Sequence, residues 1–198
     1  MALSDEQRTE TNLPETLTLL TLQAEGIDSL VEACHAGSTV AMQLIYERTS
    51  ERVYGLMVQM VGRQDADDLT QQVFLQMFSK LEKFKGQSKL ETWLYRLATN
   101  EALQHLRRQK RHVVGPLVWE PAADDPDPLI KSEESRLLQV ALSRLEPELR
   151  AIFLLKEQQK LFYREISESL EIPAGNVGSR LNRARNELRE ELTKLGWE

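Results

Sequence analysis

At 198 residues, with 41% hydrophobic and 28% charged residues, the chain has the length and balance of one ordinary globular domain or two small ones. Its single cysteine, Cys34, excludes an internal disulfide, and no second cysteine or spaced histidine joins it to make a zinc site, so neither metal nor cofactor is expected. A formal net charge of -6 works against free, non-specific DNA binding and shifts the weight onto local charge.

The opening stretch, MALSDEQRTETNLPETLTLLTLQ, carries acidic residues where a signal peptide has a basic region. No apolar run reaches membrane-spanning length, and these two features predict a cytoplasmic chain without membrane insertion. Apart from the leucines between Leu17 and Leu22 the segment is polar and weakly periodic, so residues 1–27 are expected to be a flexible or loosely docked extension.

Beyond it the chain reads as helix, with no convincing alternating strand. DADDLTQQVFLQMFSKLEKF begins with an aspartate, Asp65, suited to N-capping, and sets Leu69, Val73, Met77 and Leu81 on one stripe. Asp67, Asp68, Gln71 and Gln72 fall on the faces left over. KFKGQSKLE then supplies a basic loop, with Lys83, Lys85, Gly86, Gln87, Ser88 and Lys89. In ETWLYRLATNEALQHLRRQKR, about 100 degrees per residue places Leu90, Leu94, Leu97 and Ala98 on a core side. Trp93, Arg96, Asn100, Gln104 and Arg107 lie on another, a surface on which rings stack on bases, guanidinium groups hold phosphates and amides read edges. The plainer account makes Trp93 and Tyr95 core residues and lets the terminal cations complement the helix dipole. Glu101 points toward the apolar side, and neither account explains it.

VVGPLVWEPAADDPDPLIKS, with four prolines and four acidic residues, has no helical or strand period, and residues 113–132 are read as an extended acidic linker. After it, Leu138, Ala141, Leu142 and Leu145 make a short helix. Pro147 marks a break at a plausible first helical position, and Ile152, Leu154 and Leu155 continue in a second helix. FYREISESLEIPAGNVGSRLNRARNELREEL then reads as a short helix, a turn with Pro173 and a longer helix. Val177, Leu181, Ala184, Leu188 and Leu192 form the apolar stripe of the longer one, with Asn176, Ser179, Arg180, Asn182 and Arg183 on the far side. That division suits a helix-turn-helix whose second helix enters the major groove, and equally suits a surface helix with a solvated arginine face. Glu171 occupies a turn position where glycine would relax a left-handed backbone, and Gly178 weakens the longer helix. No nucleotide, metal or nucleophile motif is present, and no catalysis is expected.

These segments, in this order, resemble the extracytoplasmic-function group of bacterial sigma factors, in the sigma-seventy family. The likeness runs through residues 28–112 and again from residue 133 to residue 198, carried by DLTQQVF, TWLYRLATN and SRLNRAR together. It implies two small all-α domains joined by the linker: a promoter-recognition domain and a helix-turn-helix domain. It implies that Asp67, Asp68, Thr70, Gln71 and Phe74 dock on the beta-prime clamp helices of core RNA polymerase. It assigns the loop of Lys85, Gly86, Gln87 and Ser88, with the helix from Trp93 through Arg96, Asn100, Gln104 and Arg107 to Arg108, to opening the minus-ten element and capturing a flipped base. Residues Asn176 to Arg185 match the minus-thirty-five recognition helix, adding Arg185 to the set above, and the linker matches a segment threaded toward the RNA exit channel. Glu171 replaces the usual turn glycine and Gly178 a commonly basic position, which leaves the minus-thirty-five preference open. Members of the group are held by an anti-sigma factor, though no residue here identifies one. From the residues alone, a stand-alone helix-turn-helix regulator and a helical protein-interaction module that never binds DNA stay open as alternatives.

Overall fold

The computed structural model describes residues 24–112 and 132–197, and among them every regular element is an α-helix. A first half comprises α1 (Ile27–His35), α2 (Thr39–Val61), α3 (Arg63–Leu81) and α4 (Leu90–His112). The second comprises α5 (Glu133–Arg144), α6 (Pro147–Glu157), α7 (Tyr163–Leu170) and α8 (Ala174–Lys194). The N-terminal extension up to residue 23 and almost all of the acidic linker lie outside the described residues.

Local chemistry starts and stops these helices. Ser38 caps α2, its Oγ accepting the Ala41 N–H at 3.2 Å, and Ser132 caps α5 by accepting the Ser135 N–H at 3.2 Å. Pro147 stands in the first turn of α6, where a missing N–H costs nothing. Gly62, at φ 85°, ends α2 and turns the chain so tightly that α3 begins at the next residue. Asp65 therefore does not cap α3, as the sequence led us to expect. It sits in the first turn, and its carboxylate accepts from Gln109 at 2.9 Å and meets His105 Nε2 at 3.0 Å, tying α3 to α4.

Leu69, Val73, Met77 and Leu81 of α3 are buried, as their spacing predicts, and so are Leu90, Leu94 and Ala98 of α4. Tyr95 is also in the core, where the plainer reading put it. Cys34 is buried beside them, its thiol pushed up by desolvation, and His35 Nε2 lies 2.9 Å from the Leu81 carbonyl. In the second half the stripe of Val177, Leu181, Ala184 and Leu188 is buried, and Leu192 partly so.

The apolar core runs without a break from one half into the other. α4 packs against α6 and α7, and α2 against α5 and α6. One buried cation crosses the junction: Arg150, 4% exposed, donates Nη1 to the Met60 carbonyl at 2.5 Å and Nη2 to the Ser143 and Leu145 carbonyls. Met60 lies in the last turn of α2, where the helix dipole is negative and carbonyls lack helical partners.

Candidate nucleic-acid interface

α3 presents an acidic and amide face. Asp67, Asp68, Gln71 and Gln72 are exposed, and Leu75 joins them at 70% exposure. Positions 68, 71, 72 and 75 share one side of the helix by their spacing of three and four residues, so Leu75 is an apolar centre within a polar surround. The sequence reading missed Leu75 because the core stripe accounts for enough leucines; its offset from that stripe was the available signal. Thr70 and Phe74, which the resemblance places in the same docking segment, are buried at 6% and 3% exposure. α3 packs against both α2 and α4, which widens its buried sector beyond a single stripe. Phe74 stacks edge-on against Tyr46, with ring centroids 4.7 Å apart, and so supports the face from beneath.

The loop after α3 carries Lys85, Gly86 and Gln87 into solvent, with Gly86 at φ 66° and Ser88 half-buried. Phe84 in this loop lies against Trp93 of α4, centroids 5.0 Å apart. Trp93 is thus partly buried and braces the loop, leaving only part of its ring accessible. Between this loop and α1 lies a cavity of about 460 Å³, whose rim includes Asp28 and Glu32 on one side and Lys85 and Lys89 on the other.

The polar face of α4 is assembled as its spacing predicts, but it does not look into open solvent. Arg96 Nη2 donates to Glu171 at 2.6 Å and Arg107 Nη2 to Glu148 at 3.2 Å, both across the junction between the halves. Thr92 Oγ1 donates to Glu165 at 3.0 Å in the same row. Asn100 and Gln104 line the cleft between the two ion pairs. Arg108 points elsewhere, donating to Glu101 at 3.0 Å, while Gln76 of α3 donates to the other Glu101 oxygen at 2.8 Å. Glu101 is therefore a buried anchor that ties α4 to α3 and fixes one guanidinium, which accounts for the carboxylate that periodicity left unexplained.

In the second half α7 and α8 meet at a turn in which Glu171 adopts the left-handed conformation, φ 54°. Asn176, Ser179, Asn182, Arg183 and Arg185 of α8 are exposed, whereas Arg180 is half-buried at the cleft facing α4. Arg183 bonds Glu187 at 2.7 Å, which raises its pKa, and Arg185 bonds Glu157 at 2.5 Å. Gly178 lies beside the Tyr163 ring, which a Cβ there would meet at 3.5 Å.

Among the described residues no group of three or more His, Cys, Asp and Glu side chains could hold a metal ion, and no helix is long and apolar enough to cross a membrane. A helical bundle with a basic loop and a guanidinium-amide helix face, packed on a helix-turn-helix, defines a DNA-binding transcription protein. Comparison with known proteins narrows the class. The family described as Sigma-70 region 2 matches residues 45–112, and that described as Sigma-70, region 4 matches residues 135–188. The chain is 31% identical to the ECF RNA polymerase sigma-E factor of Escherichia coli (strain K12) over 179 residues, 84% of this chain and 94% of that one. It is 29% identical over 180 residues to the ECF RNA polymerase sigma-E factor of Haemophilus influenzae, covering 84% and 95%. In fold it is similar to the sigma factor RpoE of Bartonella quintana, solved in complex with the anti-sigma factor NepR. The TM-score is 0.63 at 21% identity, covering 76% of this chain and 96% of that one. The chain belongs to the extracytoplasmic-function sigma factors of the sigma-seventy family: it is an RNA polymerase sigma factor, a transcription initiation factor.

Proposed function

We propose that the two functions of a sigma factor, docking on core polymerase and handling promoter DNA, are divided among three separate faces of this chain. Asp67, Asp68 and Gln71, with Leu75 at their centre, dock on the beta-prime clamp helices. Leu75 supplies the desolvated contact, and the surrounding carboxylates and amides supply orientation. Phe74 and Thr70 act from the core by holding that face in shape.

The loop of Lys85, Gly86, Gln87 and Ser88 and the α4 face of Arg96, Asn100, Gln104 and Arg107 open the minus-ten element. Unstacking a base costs a few kcal/mol, and the bonds from these groups to phosphates and base edges offset it. Glu101 holds Arg108 at the margin of this surface. Asn176, Ser179, Arg180, Asn182, Arg183 and Arg185 of α8 address the minus-thirty-five element in the major groove. Residues 28–112 and 133–198 are the two working domains, with residues 113–132 as the segment directed to the RNA exit channel. The chain acts in the cytoplasm, without catalysis of its own, and an anti-sigma factor is its regulatory partner, as NepR is for the Bartonella protein.

The observation that carries the assignment is the sorting of side chains on α3, where polar groups and an exposed leucine occupy one side and the core stripe the other. Co-purification with core RNA polymerase tests it. Asp68→Arg and Leu75→Arg abolish association while helicity is retained; undiminished association of both variants would sink the clamp assignment.

A further inference from the structure

Three polar side chains in the cleft between α4 and α8 have no bonding partner in the chain. Arg180 of α8 is half-buried there, and Asn100 and Gln104 of α4 line the same cleft. Among the described residues none of these three side chains makes a hydrogen bond or an ion pair. A guanidinium carries five donors, and a charged group withdrawn from water is ordinarily paired. The two carboxylates of the cleft cannot serve it, because Glu148 is bonded to Arg107 at 3.2 Å and Glu171 to Arg96 at 2.6 Å. Beside these polar groups the lining is apolar: Leu103 is buried, and Leu170 and Ile172 are half-buried. The cavity measures about 460 Å³, within the roughly 300–1,000 Å³ of small-molecule sites, which combine an apolar lining with a few placed donors.

We infer that this cleft binds a small organic monocarboxylate, its carboxylate held by Arg180 and the amides of Asn100 and Gln104, its apolar body against Leu103, Leu170 and Ile172. Each part of the lining selects one part of such a ligand. The planar fork of a guanidinium matches the two oxygens of a carboxylate, and the amide N–H groups add donors to it. Glu148 and Glu171 limit the charge, because a dianion is repelled by two nearby carboxylates more strongly than a monoanion. The apolar side chains favour a ligand with a hydrocarbon body, which removes their surface from water as a bare inorganic ion does not. Asn100, Gln104 and Arg180 are among the groups given above to promoter DNA, so a bound carboxylate competes with DNA for them. The binding itself does not rest on that reading.

The test is a ligand-observed NMR titration of the full chain with four probes: octanoate, benzoate, octan-1-ol, which lacks the charge, and inorganic phosphate, which lacks the apolar body. Both carboxylates are expected to bind saturably at one site, at least about tenfold more tightly than the alcohol or phosphate. Arg180→Gln is expected to weaken the carboxylates about tenfold or more. Gln104→Trp, at an exposed position on the α4 wall, is expected to abolish their binding by filling the cleft. Arg189→Gln removes an exposed cation of the same helix outside the cleft and is expected to leave the affinity unchanged. Circular dichroism checks that each variant keeps its helicity. No saturable binding of either carboxylate would overturn the inference. So would carboxylate binding that neither Arg180→Gln nor Gln104→Trp diminishes, because the ligand would then lie elsewhere. Phosphate binding as tight as octanoate would overturn the ligand class.

Discussion

Arg150 of α6 donates to the carbonyl of Met60 at the end of α2, joining the two halves of the molecule through a buried guanidinium at 2.5 Å. Among the described residues no carboxylate shares the bond; the same guanidinium also serves the carbonyls of Ser143 and Leu145, and desolvation lowers its pKa to about 10. Arg150 remains protonated at neutral pH, and carbonyl dipoles take the place of a counter-ion.

Removing that cation leaves buried carbonyls without donors. Arg150→Ala is expected to cost about 3 kcal/mol, a fall in Tm of roughly 6–12 °C, and Arg150→Lys nearly as much because one ammonium cannot reproduce the fork. Thermal denaturation followed by circular dichroism measures both; an unchanged Tm would remove Arg150 from the junction. The sign of the pH effect follows from burial. The folded pKa lies below the unfolded one, so both states hold the proton up to about pH 9, and this group adds no slope there. Only above about pH 10 does the folded state release its proton first, and stability from Arg150 then rises with pH.

Glu101 holds Gln76 and Arg108 at once. Glu101→Ala strands both and empties a buried site, with an expected loss of about 2 kcal/mol in urea denaturation. A loss under about 0.5 kcal/mol would show that the anchor contributes little.

Gly178 is interior to α8, and the space beside it takes a methyl group in ordinary contact with the Tyr163 ring. Gly178→Ala should therefore stabilise the chain by about 0.5–1 kcal/mol. A lowered Tm would contradict the packing described around α8.

At Glu171 two small effects oppose. Glycine relieves about 1 kcal/mol of left-handed strain and gives up an exposed ion pair worth less than that. Glu171→Gly is expected to gain about 0.5 kcal/mol against urea, and a clear loss would mean that the bond to Arg96 outweighs the backbone.

Helix identity and core stripes were legible in the chain because a period of 3.6 residues states which side chains face inward. Val177 to Leu188, Leu69 to Leu81 and the break at Pro147 all follow from it. The same period names a face without naming its neighbour. It grouped Arg96, Asn100, Gln104 and Arg107, but it carries no information that Glu171 and Glu148 lie opposite. Thr70 and Phe74, in the segment that the resemblance assigns to docking, are buried because a helix packed on two sides hides more than one stripe. Asp65 was misplaced because the positive φ of Gly62, three residues before the expected cap, starts the helix earlier. Glu101 and Arg150 find partners outside any local window, 25 and 90 residues away.

Run-off transcription with purified core RNA polymerase, with and without the chain, across a set of candidate promoters, tests the central claim most directly. The account predicts specific transcripts only when the chain is present, lost with Asp68→Arg and reduced with Arg96→Ala. Binding of the chain to duplex DNA at moderate salt, with no association with core polymerase and no directed initiation, would contradict it.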